Sequence, residues 1–150
     1  MLQRPPASLA TVLLVSAPWL TPVGRDIVGD LVEARGRFGT ADAFARSRGL
    51  RDRHQLAYAL RCGRLPPLLV LAGWIKVLVW VMEYEDGGRS ICQSSLLEAS
   101  DPAYRYRLVK RVTGLPWSSV RTRGLAWVVQ EFLDACRPQA PSQVAKQTTA

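Results

Sequence analysis

The chain has 150 residues, 48 % of them apolar, and a formal net charge of +8. That apolar content excludes wholesale disorder, and the length allows one domain or two small ones sharing a core. A single histidine, the absence of a glycine-rich phosphate loop and three scattered cysteines exclude the common enzyme classes and imply no cofactor, whereas the basic charge favours a polyanionic partner.

Residues 1–20 form an N-terminal arm. Arg4 followed by the apolar run 9–15 and by Ser16 and Ala17 has the outline of a secretory signal. Pro18 directly after the candidate cleavage point argues against export, and so do unpaired cysteines. Residues 11–16, TVLLVS, read as a β-branched strand with no partner strand in the chain. Such a strand would pair with its copy across a homodimer or pack as an irregular arm. Residues 1–8 are expected to be disordered. Cys62, Cys92 and Cys136 show no metal-ligand spacing and read as buried or incidental thiols of a cytoplasmic protein.

From Thr21 the pattern is helical. Thr21 and Pro22 mark a cap and a first turn, with Val23, Ile27, Val28, Leu31 and Val32 at helical spacing up to about Arg35. Thr40 caps a short second helix with Ala41, Phe44 and Ala45 inward, ending in a turn at Gly49. A third helix over about 52–62 turns Leu56, Ala59 and Leu60 inward and leaves Arg53, Ala57, Arg61 and Arg64 on the other side. Two short helices about a turn, the second with a basic outer face, make a helix-turn-helix over residues 21–66.

Residues 65–85, LPPLLVLAGWIKVLVWVMEYE, are the longest apolar stretch, interrupted only by Gly73 and Lys76. A helix over about 68–84 would be about 25 Å long and would link two subdomains across residues 67–86. Its near-central lysine, its two leading prolines and the placement of Trp74 and Trp80 argue against a membrane span, and a helix buried by its neighbours is the better account. Gly87 and Gly88 close it. Ser90 caps a helix to about Glu98, and Asp101 with Pro102 starts another over about 103–113, with Tyr104, Leu108 and Val112 inward. Gly114 stops that helix. Pro116 or Trp117 opens a final one to about Ala135, with Gly124 as the point where it divides. Residues 87–136 therefore repeat the layout of the first half, and residues 137–150 read as a disordered tail. The expected fold class is all-α, two helix-turn-helix subdomains on a long central helix.

The stretch KRVTGLPWSSVR at residues 110–121, preceded by SDPAYRYRLV at 100–109, resembles the second half of the AraC-type DNA-binding domain. The matching residues are Tyr104, Arg107, Lys110, Thr113, Gly114 and Arg121, and the resemblance extends more weakly over residues 38–65. The sequence departs from that pattern at Leu56, one residue later than the usual spacing, at Tyr58 and Arg64, at Glu98 and Ala99 in place of the turn glycine and the following aromatic, and at Arg105 in place of an aromatic residue. The resemblance implies two helix-turn-helix motifs at the ends of a linking helix, sequence-specific binding of double-stranded DNA, and transcription regulation alongside RNA polymerase or another regulator.

On that basis, Arg51, Arg53, His54 and Gln55 in the first motif, with Ala103, Tyr106 and Arg107 in the second, are the candidates for reading bases in the major groove. Arg61, Lys110, Arg111, Arg121 and Arg123 are the candidates for phosphate contact. The bland alternatives stand beside them. A surface arginine is often a solvated charge or a stem laid over apolar surface, Arg107 can pair locally, and Tyr58 and Tyr106 can be packing aromatics. The competing function is a degenerate helix-turn-helix module that binds an acidic protein partner, for which an exposed patch among Trp74, Trp80, Trp117 and Trp127 would speak.

Overall fold

The computed structural model describes residues 6–136, and every element among them is helical. In order these are α1 (Pro6–Ser16), α2 (Pro22–Glu33), α3 (Ala41–Ser47), α4 (Arg53–Cys62), α5 (Leu68–Gly87), α6 (Ile91–Leu97), α7 (Pro102–Thr113), α8 (Trp117–Arg123) and α9 (Leu125–Cys136). The all-α expectation holds. The tail at 137–150 lies outside the described residues, as do residues 1–5 of the stretch expected to be disordered, while residues 6–8 begin a helix.

The strand expected at residues 11–16 is a helix instead. Leu9, Leu13 and Ala17 recur every four residues and are buried, together with Leu20, and α1 packs on α2 and α5. The β-branched Val12 and Val15 that suggested a strand point outward. The helix closes its backbone hydrogen bonds internally, whereas a lone strand would leave them open; tertiary packing overrides the local propensity. The edge that suggested a dimer through residues 11–16 is therefore absent, and the segment is a docked helix rather than an arm.

α5 is the axis. At 20 residues it is about 30 Å long, three residues longer at its C-terminal end than the sequence suggests. It stops where Gly88 turns left-handed, with φ +65°, and donates its N–H to the Tyr84 carbonyl at 2.8 Å. Nearly every residue from Leu71 to Glu83 is buried, because α1, α2, α7, α8 and α9 all pack on α5. No described helix is long and apolar enough to cross a membrane. Trp74 packs on Phe132 at 5.9 Å between ring centres, and Trp80 is buried under α7, so both serve the core as expected. α9 runs antiparallel to α5: the Leu125 N–H donates to Glu85 near one end and Phe132 meets Trp74 toward the other. Gly124 divides the last helical stretch into α8 and α9. One core of buried side chains runs from Leu9 to Cys136. Of the three thiols, Cys136 lies in that core, where burial pushes it up to about 12, while Cys62 and Cys92 are exposed.

Two glycines let segments approach α5. A Cβ at Gly73 would lie 3.2 Å from Val112 of α7. At Gly36, which has φ +79°, a Cβ would lie 2.8 Å from the Ala72 carbonyl and 2.6 Å from Lys76 Cγ. Gly36→Ala therefore combines backbone strain with a clash against another helix, and should destabilise the protein by about 2 kcal/mol or more. Gly39→Ala, where a Cβ meets nothing within 4 Å, should cost under about 0.5 kcal/mol. Urea unfolding of the two variants checks the contrast; equal losses would contradict it.

Candidate nucleic-acid interface

The α3–α4 unit is built from caps. The Thr40 hydroxyl accepts from the Ala43 N–H, and α3 ends at a turn in which Gly49 has φ +77° and the Leu50 N–H donates to the Ala45 carbonyl. Asp52 caps α4 by accepting from the His54 and Gln55 N–H groups at 3.0 Å each. The Gln55 hydrogen bond above all, with help from Arg51 and His54, holds the Asp52 carboxyl below its ordinary range. Its cap therefore acts fully above the unfolded-state carboxylate pKa and is lost only as pH falls through the depressed value. Asp42 accepts from the Arg53 N–H at 2.8 Å and so fixes the start of α4 against α3. Leu56 and Leu60 anchor the helix in the core.

The α6–α7 unit repeats the plan. Ser90 and Gln93 make a reciprocal capping box, Asp101 accepts from the Ala103 N–H, and Pro102 opens α7. The turn between the helices places Ala99 at φ +52°, a left-handed conformation reached here without glycine. At the far end Thr113 donates to the Val109 carbonyl and accepts from the Leu115 N–H, while Gly114 turns left-handed at φ +80°. Both residues shared with the resembled pattern thus have a structural task in ending α7.

All twelve sequence-nominated residues are exposed: Arg51 in the turn before α4; Arg53, His54 and Gln55 in its first turn; Arg61 near its end; Ala103, Tyr106, Arg107, Lys110 and Arg111 along α7; and Arg121 and Arg123 on α8. They differ in freedom. Gln55 is occupied locally, its side-chain oxygen accepting from the Arg51 N–H at 2.6 Å, and Arg51 sits 3.6 Å from Asp52. The Tyr106 hydroxyl lies 3.6 Å from the Cys92 sulfur, a contact that raises its pKa. Arg121 and Arg123 place their guanidinium groups over the Tyr84 and Trp127 rings, 5.6 and 5.0 Å from the ring centres, while both residues remain exposed. Arg53, Arg107, Lys110 and Arg111 make no ion pair with a described residue. Beside α4 an apolar hollow of about 340 Å³ is lined by Leu56, Ala57, Leu60, Leu65 and Leu68, with Arg53 and Arg61 among its walls.

What the sequence did not show is a partly buried ion cluster behind these surfaces. Arg105 is 2 % exposed. Its guanidinium stacks on Trp80 at 4.7 Å, pairs with Glu98 at 3.2 Å, and donates to Ser94 at 2.6 Å and to Ser100 at 3.0 Å. Arg35, which follows α2, reaches Glu83 at 2.9 Å and Glu98 at 2.5 Å. Burial opposes the Arg35 charge, but hydrogen bonds and attraction from Glu83 and Glu98 outweigh it and raise its pKa. For Arg105 burial prevails over Glu98 and Glu83, with Arg35 adding to the effect, and its pKa is lowered. Arg105 occupies the place expected for Tyr104 on the inward face, since residues 105, 108, 109 and 112 form the helical stripe against α5. Tyr104 is 39 % exposed, its hydroxyl accepting from Lys76 at 3.2 Å. The spacing of that stripe is visible in the sequence, but an arginine within it argues for exposure until its partners are known.

Comparisons with family models, curated proteins and solved structures find no match to this chain. Among the described residues no group of three or more histidine, cysteine or carboxylate side chains could hold a metal ion.

Glu98→Ala removes the shared carboxylate and leaves Arg105 buried without its ion-pair partner. The expected loss is about 3 kcal/mol, at the low end for an orphaned buried charge because Ser94 and Ser100 still hold the guanidinium. Adding Arg105→Met should recover part of it. Denaturant titration of the single and double variants tests this, and a double variant as unstable as the sum of the singles would refute the coupling.

Proposed function

We propose that the protein binds double-stranded DNA through two helix-turn-helix motifs, α3–α4 and α6–α7, as a transcription regulator acting in the cytoplasm. The observation that carries this reading is the repeated construction. Each unit has a short helix, a turn with one left-handed residue, Gly49 or Ala99, and an aspartate cap, Asp52 or Asp101, opening a longer helix with an exposed basic surface. The resemblance of residues 100–121 to the AraC-type domain points the same way.

In this reading the first turns of α4 and α7 enter neighbouring major-groove segments. Arg53, His54, Tyr106 and Arg107 then face base edges, with Arg51, Gln55 and Ala103 alongside, and arginine reads guanine by paired hydrogen bonds. Arg61, Lys110, Arg111, Arg121 and Arg123 contact phosphates and set the register. The length of α5, about 30 Å, is comparable with the ~34 Å helical turn of DNA, which supports two heads on one duplex face.

A second reading has its own observation. The hollow beside α4, apolar within and flanked by Arg53 and Arg61, suits an apolar side chain from an acidic protein partner, such as another regulator. The burial of Trp74, Trp80 and Trp117 removes the aromatic patch that would have favoured it most.

Genomic fragments selected by the purified protein at physiological salt should yield a motif with two half-sites about one helical turn apart. Five phosphate contacts predict a log–log salt slope of about −4.5. Arg53→Ala should change the preferred sequence, whereas Lys110→Ala should weaken all sequences alike and reduce the slope by about 1. Recovery of random fragments, or of none, rejects sequence reading and turns attention to the protein partner.

A further inference from the structure

A second feature lies where the two halves of the molecule meet on the middle of α5. A half-open cavity of about 120 Å³ is lined by Arg35 and Arg37 from the segment after α2, Lys76 and Trp80 from α5, and Glu98, Ser100, Tyr104 and Arg105 from the second half. None of the twelve residues nominated from sequence lines it.

Its charges do not balance. Four cations face it against one carboxylate, Glu98, which is already shared among Arg35, Arg105 and, at 3.7 Å, Arg37. Glu83 behind it is shared in the same way between Arg35 and Arg89. The surplus positive charge sits on Lys76 and Arg37. Lys76 spends one donor on Tyr104 and has three. Arg37 keeps its side chain 63 % exposed with only the long contact to Glu98.

The hydrogen-bond directions agree with the charge. The Tyr104 hydroxyl accepts from Lys76 and the Ser100 hydroxyl accepts from Arg105 Nε, so each has its own hydrogen left to donate. Ammonium, guanidinium and two hydroxyls therefore present donors from different directions into one small space, with the nearby carboxylate already engaged by Arg35 and Arg105. Such a lining suits a ligand that only accepts, carries negative charge and has more than two oxygens to distribute.

We propose that this cavity binds a free phosphate or phosphate monoester, held by Lys76 and Arg37 and oriented by the Tyr104 and Ser100 hydroxyls. The ligand would bridge the segment after α2, the central helix and α7, and so stiffen the junction that fixes the two halves relative to one another. The assignment does not depend on the DNA reading, because it is tested on the protein alone.

Inorganic phosphate is titrated calorimetrically into the full chain without DNA, at ionic strength balanced with chloride, and thermal unfolding is followed in parallel. Saturable heat and a melting temperature that rises with phosphate beyond the chloride control are expected. Lys76→Met keeps the aliphatic stem that lies beside Gly36 and removes the charge; Tyr104→Phe keeps the ring and removes the donor. Each should weaken phosphate binding at least about tenfold, the scale of a hydrogen bond to a charged group. Arg37→Gln, at an exposed position, repeats the test should Lys76→Met fail to fold. Equal phosphate responses in the wild type and these variants would overturn the proposal. So would the absence of saturable heat while Lys76→Met weakens a short duplex, which would assign the donors to a nucleic-acid backbone.

Discussion

The Glu98 carboxylate organises the structure more than any other single group. It sits in the turn before α7 and takes Arg35 from the first half and Arg105 from the second. Burying a guanidinium is costly unless its charge and its donors are all met. Here the requirement is met only when the segment after α2, the C-terminal half of α5, α6 and α7 are all in place at once. Ser94 relays the contact further, accepting from Arg105 and lying 3.5 Å from Glu83. Apolar burial along α5 supplies the driving force, but it is non-directional; the ion cluster selects one angular arrangement among those that would bury similar area.

Close approach of backbones makes this possible. Gly36 lets the chain after α2 lie against the Ala72 carbonyl, and this puts Arg35 within reach of Glu83. Gly73 lets α7 settle onto α5 where Leu108 and Val112 pass. The two glycines and the four charged side chains form one device: small residues bring the segments together and the charges fix their rotation.

Much of this was legible in the sequence, and the reason is locality. Thr21, Thr40, Ser90 and Asp101 act on N–H groups two or three residues away, so a window of a few residues contains the whole interaction. The division at Gly124 and the termination at Gly114 are legible for the same reason. The conformation of residues 11–16 depends on α2 and α5, which no local window contains. Hydrophobicity alone assigns Tyr104 inward, whereas the helical phase set by Leu108 and Val109 assigns Arg105. Glu98 and Arg105 appeared separately as departures from the resembled pattern, but the contact between them is a fact of three dimensions. At the candidate interface, sequence located the exposed basic residues, while the occupation of Gln55 and Tyr106 by neighbours emerges only in the folded chain.

The continuity of α5 sets a condition on any partner. α4 joins its N-terminal end after a short turn, and α7 lies along it through Gly73, Lys76 and Trp80, so no flexible linker separates the two exposed basic helices. Once one of them is engaged, the other is confined to a narrow range of positions, and its local concentration near a correctly placed second contact is high. A partner whose two contact points are separated by the wrong distance gains none of that advantage, because a rigid connection cannot stretch to meet it. Discrimination by separation is thereby available to this fold in addition to discrimination by the chemistry of each contact.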